Sequence, residues 1–188
     1  MKKIVMLGFV FVGMLAGCTS SREPSGTETP QSSDSIEVLE PSSGESAFSV
    51  EGTNYSVSIP EEWAELADPT ELNPDASFAL EKSDFNSYYM VIAENKVDFA
   101  DLDTYVELVT GNLEGQATNL SEEAITINGM NGIRKNFDLQ IQGMNLVYIF
   151  DIVESDTQFV QSIGWSLKSV EEEARTDLET ILNSLTQE

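Results

Sequence analysis

The chain has 188 residues, and its 33 acidic against 9 basic side chains give a formal charge of −24. That is enough length for one domain and a tail, and a charge that phosphate backbones and anionic lipid heads repel, so nucleic acid is not an expected partner. Histidine is absent and Cys18 is the single cysteine. The commonest general base and metal ligand is therefore missing, and Ser-His-Asp, Cys-His and ordinary zinc, copper or haem sites cannot be built. Carboxylate-only chemistry, such as glycoside hydrolysis or calcium binding, stays open.

Lys2 and Lys3 make a basic start, and residues 4–15 are apolar apart from Gly8 and Gly13. Small residues then lead to Cys18, the pattern of a secretory signal. The run is shorter than the roughly 20 residues of a spanning helix. An ordinary signal peptide cut near Ala16 would leave Cys18 as an exported free thiol, a liability in an oxidising compartment. The phrase Leu15-Ala16-Gly17-Cys18 also resembles the lipobox of bacterial lipoproteins. That resemblance implies signal removal over residues 1–17 and a diacylglycerol thioether on Cys18, whose two acyl chains, such as palmitate, are enough for stable anchoring. Cleavage there would leave 7 basic and 33 acidic residues, a formal charge of −26.

Residues 18–45 are mostly Ser, Thr, Glu, Pro and Gly, with Ile36, Val38 and Leu39 the only large aliphatics. Such a stretch buries too little apolar surface to offset the entropy of ordering, so a disordered acidic tether is expected. Its root-mean-square reach is roughly 30 Å, and about 90 Å when pulled straight. The folded domain is expected over 46–188.

Phe48 and Val50, then Tyr55, Val57 and Ile59, alternate with polar residues around a Gly52-Thr53-Asn54 turn, which predicts a hairpin. Pro60 closes the second strand, and Glu61-Glu62-Trp63 is expected to start a short helical turn. Residues 68–75 form a loop with Pro69 and Pro74. Strands are predicted over 76–81 and 88–94, the second apolar on both faces and so central. Leu102, Tyr105, Val106, Val109 and Leu113 form one helical stripe. Asp101 is its expected N-cap and Gly115 its stop.

Residues 124–127 run into Asn128-Gly129, a type I′ turn signal. A returning strand carries Ile133, Phe137, Leu139 and Ile141 to another turn at Gly143. Strands over 146–153 and 159–167 complete a meander, with Phe159, Ile163, Trp165 and Leu167 on one face. Ser169 and Glu172 fit a capping box. The stripe of Val170, Ala174, Leu178, Ile181, Leu182 and Leu185 then predicts a closing helix.

The order of these elements resembles the PsbP-like domains, a group that includes the DcrB-like bacterial lipoproteins. The resemblance rests on the Ser58-Ile59-Pro60-Glu61-Glu62-Trp63 phrase, a helix after two strands, Ile127-Asn128-Gly129 opening a meander, and the closing residues 178–185. It covers about residues 48–185. It implies an α+β fold, a twisted antiparallel sheet with helices packed on both faces (an α/β/α sandwich), and binding or assembly roles with no shared reaction. No catalytic, cofactor-binding or metal residue is carried over.

Local candidates have simpler readings. Asp98, Asp101 and Asp103 lack the order of a calcium loop, and helix capping is the favoured account. Glu154 and Asp156 suit a solvated hairpin tip. Phe85, Tyr88 and Tyr89 offer an aromatic face, though strand core is the simpler reading. Trp63 is expected to plug one end of the core, and Met130 and Met144 to fill gaps beside turns. Glu171, Glu172 and Glu173 suit the positive end of a helix. Asn54-Tyr55-Ser56 and Asn119-Leu120-Ser121 match a glycosylation pattern without meaning in a bacterial lipoprotein.

The expectation is thus an extracytoplasmic lipoprotein of the cell envelope, held to the membrane by the lipid on Cys18. Its domain is expected to be a non-enzymatic binding or assembly module with no cofactor. An envelope protein is its expected partner, and the long tether suits the outer leaflet of a Gram-positive membrane. The alternatives are a carboxylate-based hydrolase of envelope glycan and a calcium-dependent structural module.

Overall fold

The structure is a computed structural model that describes residues 44–113 and 115–188. The signal, Cys18 and residues 19–43 lie outside the described residues. The element order is β1 (Gly44–Val50), β2 (Thr53–Ile59), β3 (Trp63–Glu65), β4 (Phe78–Lys82), β5 (Ser87–Asn95), α1 (Leu102–Thr110), β6 (Thr118–Ile127), β7 (Met130–Ile141), β8 (Met144–Glu154), β9 (Gln158–Leu167), α2 (Glu171–Ser184) and β10 (Thr186–Gln187).

Seven strands form one antiparallel sheet in the order β3-β4-β5-β9-β8-β7-β6. Three hairpins close through two-residue loops whose residues both have positive φ: Glu51-Gly52, Asn128-Gly129 and Gln142-Gly143. That is the type I′ geometry whose twist matches the flanking strands. The first turn is therefore one residue earlier than the sequence suggests, and Thr53 and Asn54 already pair with Val50 and Ser49.

One face of this sheet is covered by α2 and by a small second sheet, β1-β2-β10. Ala174, Leu178, Ile181, Leu182 and Leu185 pack with Val57 and Ile59 onto Tyr89, Val91, Ile149, Val153 and Val160. Gly164 on β9 lets α2 sit close, since a Cβ there would lie 2.9 Å from Leu178. The other face receives α1, with Tyr105, Val106, Val109 and Leu113 packed among Met90, Ile92, Phe137, Tyr148, Phe159 and Trp165. Helices on both faces of an antiparallel sheet make the expected α+β architecture.

Several local expectations are corrected. Residues 61–62 form a turn, with Glu62 at φ 68°, and Trp63 opens the edge strand β3 where a helical turn was expected. Glu61-Glu62-Trp63 has too little helix left before it meets Lys82 of β4. The helix α1 stops at Gly111, with Gly115 in the turn beyond it. At the last helix, a 3-10 turn over 168–170 intervenes, so the Ser169–Glu172 capping box does not form. Glu171 bonds Lys168 and Arg175 there in its place. β1 is described from Gly44 to Val50. β10 follows α2 and pairs with β2, a strand too short to announce itself by periodicity.

Candidate functional site

A hollow lies where α1 ends. Asp101 starts that helix by accepting a hydrogen bond from the Thr104 amide at 2.8 Å, which also holds its carboxyl below the usual range. The helix lasts nine residues, so it covers the sheet only as far as Leu113. Beyond it, β7 and β8 run on to their hairpin at Gln142-Gly143. The gap between the two is a cavity of about 400 Å³, lined by Val109, Asn112, Leu113, Gln116 and the strand run 139–142. That volume falls within the range of small-ligand and peptide pockets. Its lining holds aliphatic and carboxamide residues and no ionisable one, so it offers no general acid or base.

The β7 backbone at this cavity is unusual within the sheet. Ile141 and Met144 flank a two-residue loop, so they exchange both backbone bonds, and alternate residues of β7 point the other way. Gln140 therefore turns its N–H and C=O away from β8, toward the side where β6 runs. But β6 starts at Thr118, opposite Asp138. Gln140 is left at an open edge, with no backbone partner among the described residues.

A second, shallower hollow of about 380 Å³ is lined by Lys96, Phe99–Asp103, Glu154 and Phe159. Its one cation is already engaged: Lys96 Nζ lies 2.7 Å from Glu154 and donates to the Ser155 carbonyl at 2.9 Å, while Asp101 and Asp103 leave the lining net negative. Next to it, the buried Tyr105 hydroxyl donates to Glu94 at 2.7 Å and accepts from Gln161 at 2.8 Å. Burial pushes the Glu94 carboxyl up, an effect that the Tyr105 bond only partly offsets.

Under α2 the main polar contact is an ion pair. Arg134 donates twice to Asp151, at 2.6 Å each, and again to Asn183 of α2 at 2.9 Å. Asp151 is fully buried; burial raises its carboxyl and Arg134 pulls it back down. All six basic side chains of residues 44–188 lie in ion pairs. Among the described residues every basic side chain thus already has a carboxylate beside it.

The structure scatters the candidates read from the sequence. Asp98 sits in a 3-10 turn, Asp101 caps α1 and Asp103 is in its first turn. Among the described residues no three carboxylates come close enough to hold a metal ion. Tyr88 and Tyr89 point to opposite faces: Tyr89 is buried against Ser162, 2.9 Å away, while Tyr88 stacks on Trp165 at 5.5 Å. Phe85 is 65% exposed in the turn between β4 and β5, where its carbonyl accepts from the Tyr88 hydroxyl at 3.2 Å while its ring stacks on neither tyrosine. Trp63 is fully buried and donates to Asp177 of α2 at 3.2 Å. Asp156 and Gln187 bond each other, tying the β8–β9 tip to β10. Met130 is core and Met144 is partly exposed. Cys18 is outside the described residues.

Sequence reasoning missed the cavity. Its carboxamides look like turn residues, and the open edge arises only because β6 is shorter than β7. The signal available was the length of apolar alternation around the Gly143 turn compared with that after Gly115.

No protein-family model and no curated protein matches the chain. Among solved structures it is similar to LpqN of Mycobacterium tuberculosis, described as involved in cell envelope biogenesis, with 12% identity and a TM-score of 0.58. That match covers 76% of this chain and 90% of LpqN. It is also similar to CyanoP, the cyanobacterial PsbP of Synechocystis sp. PCC 6803, with 10% identity and a TM-score of 0.51 over 84% of this chain and 98% of CyanoP. At such identities the likeness is one of fold, and the fold is PsbP-like. Among the described residues no helix is long and apolar enough to cross a membrane.

Proposed function

We propose that this chain is a lipid-anchored extracytoplasmic protein of the cell envelope, whose PsbP-like domain is a non-catalytic binding or assembly module. The anchor reading rests on Leu15-Ala16-Gly17-Cys18, the short apolar run before it and the Ser/Thr/Glu-rich stretch after it. The long tether favours display from the outer leaflet of a Gram-positive membrane. The observation that carries the module reading is the main cavity, whose lining has no ionisable side chain. Glycoside hydrolysis needs two carboxyls roughly 5–10 Å apart across a cleft, and this cavity supplies neither. The shared fold with LpqN, a protein of envelope biogenesis, supports the compartment.

Detergent phase partitioning of the wild type and Cys18→Ser tests the anchor. The wild type should enter the detergent phase, and the variant should stay aqueous or accumulate as a longer precursor. Equal partitioning would remove the lipid from the account.

A further inference from the structure

We infer that the cavity between the end of α1 and the open end of β7 receives an extended, uncharged peptide segment of a partner protein, added as a strand at Gln140. The inference rests on the module reading above and gives the module its ligand class.

Two edges of the seven-stranded sheet are ill suited to pairing. The edge strand β3 has only three residues. Along β6 the register breaks between Thr118 and Ser121, Asn119 is at φ 55°, and Glu122 and Glu123 follow. A bulge and paired charges are the usual means of keeping an edge from recruiting another chain. The run 139–141 of β7 has neither. Its free N–H and C=O at Gln140 continue the line of β6, where an incoming strand would take over the ladder.

The lining beside that edge decides the chemistry. In strand addition the main chain supplies affinity, and pockets for alternate side chains supply selectivity. Val109, Leu113, Leu139 and Ile141 offer an apolar seat for one such side chain, while Asn112 and Gln116 stand at the mouth, able to donate to and accept from amides. A charged residue brought in here would lose water and meet no opposite charge. A chain terminus is disfavoured for the same reason, since the described cations are all engaged.

The test is selection of random ten-residue peptides on the immobilised protein, followed by affinity measurement and hydrogen exchange. Enriched peptides should be low in charge and should slow exchange over residues 109–113 and 139–142. Gln140→Pro removes the free N–H without touching the β8 ladder, and Asn112→Trp fills the mouth at an exposed position. Each should weaken binding at least tenfold, while Glu123→Gln on the guarded edge should change it less than twofold. Thermal melts show which variants are folded, and Asn112→Trp decides the matter if Gln140→Pro is not. Failure to enrich any peptide would overturn the inference. So would unchanged binding by Asn112→Trp, or a glycan that binds through these residues in place of peptide. Peptides captured on another face would overturn the inference and leave the module reading standing.

Discussion

The two faces of the seven-stranded sheet are finished differently. On one side a helix of 14 residues and a three-stranded sheet close over the strands, with Leu178, Ile181 and Leu182 at or near zero exposure. Polar groups there are locked into α2, as Arg134 with Asn183 and Trp63 with Asp177. On the other side a helix of nine residues covers strands of ten to twelve. Stacked rings of Phe137, Tyr148, Trp165 and Tyr88 fill much of the rest. The short helix leaves the end of β7 uncovered. The closed face holds the fold together, and the open one leaves room for a ligand.

The largest expected effect tests the closed face at its charged centre. Asp151→Asn leaves Arg134 beneath α2 with only the carboxylates of Glu123 and Glu179 nearby, and removing one member of a buried pair typically costs about 3–5 kcal/mol. The Arg134 side chain is 12% exposed, so the lower end, about 3 kcal/mol, is expected. Urea titration reads it directly. A loss below 1 kcal/mol would show that water reaches the pair.

Truncations on the two faces sharpen the same contrast. Leu178→Ala empties a site walled by Gly164 and the rest of α2, and should cost ~2–5 kcal/mol. Val109→Ala on α1 borders an existing cavity, and the loss should be about 1–2 kcal/mol, near the transfer value of the lost methyls. Denaturant midpoints of the pair compare them. Equal losses would mean that α1 is as tightly seated as α2.

Most of the scaffold was legible because its signals are local. The Asn128-Gly129 turn, the α1 stripe with its Asp101 cap and the α2 stripe all act through neighbours in sequence, and all three form. What misled was tertiary. Glu61-Glu62-Trp63 looks helical by propensity, but Trp63 is drawn into an edge strand that pairs with Lys82 and puts its indole on Asp177. Ser169 and Glu172 have capping spacing, yet a 3-10 turn over 168–170 moves the N-cap to Val170, and Glu171 pairs with Lys168 and Arg175 at the helix start. The candidate cavity depends on where β6 begins relative to Asp138. That is a relation between strands, and no single stretch of sequence states it.

Acid should favour the fold, chiefly through the open face. Burial raises Glu94, and burial with Glu71 nearby raises Glu81. A carboxyl with a raised folded value binds protons better when folded. Its contribution is thus greatest below the unfolded value of about 4 and is lost as pH rises through the folded one. The excess negative charge adds repulsion in the same direction. Asp68, Asp101 and Glu171 are shifted down and oppose this, but Asp68 and Asp101 are exposed, and Glu171 is only half-buried among solvent-reached ion pairs. The melting temperature should therefore rise from pH 7.5 to pH 5, and Glu94→Gln should flatten that rise. A melting temperature that falls over this range would reverse the assignment.

The smallest expected effect concerns the chain before β1. Residues 19–43 carry few large apolar side chains, Ile36, Val38 and Leu39, too few to offset the entropy of ordering them. A chain starting at Gly44 should therefore melt within a degree of one starting at Thr19. A start at Ser46 removes the Gly44–Ile59 and Glu45–Ser58 pairs of β1, both at an exposed strand end. Losing roughly one net hydrogen bond there costs about 1 kcal/mol, which for a domain of this size lowers the melting point by about 2–4 °C. Calorimetry of the three chains separates the cases. If the Gly44 start fell by many degrees, Ile36 to Leu39 would be packing on the domain. The outer edge of β1 would then be the place to look for it, and the closed face would extend further than β1-β2-β10.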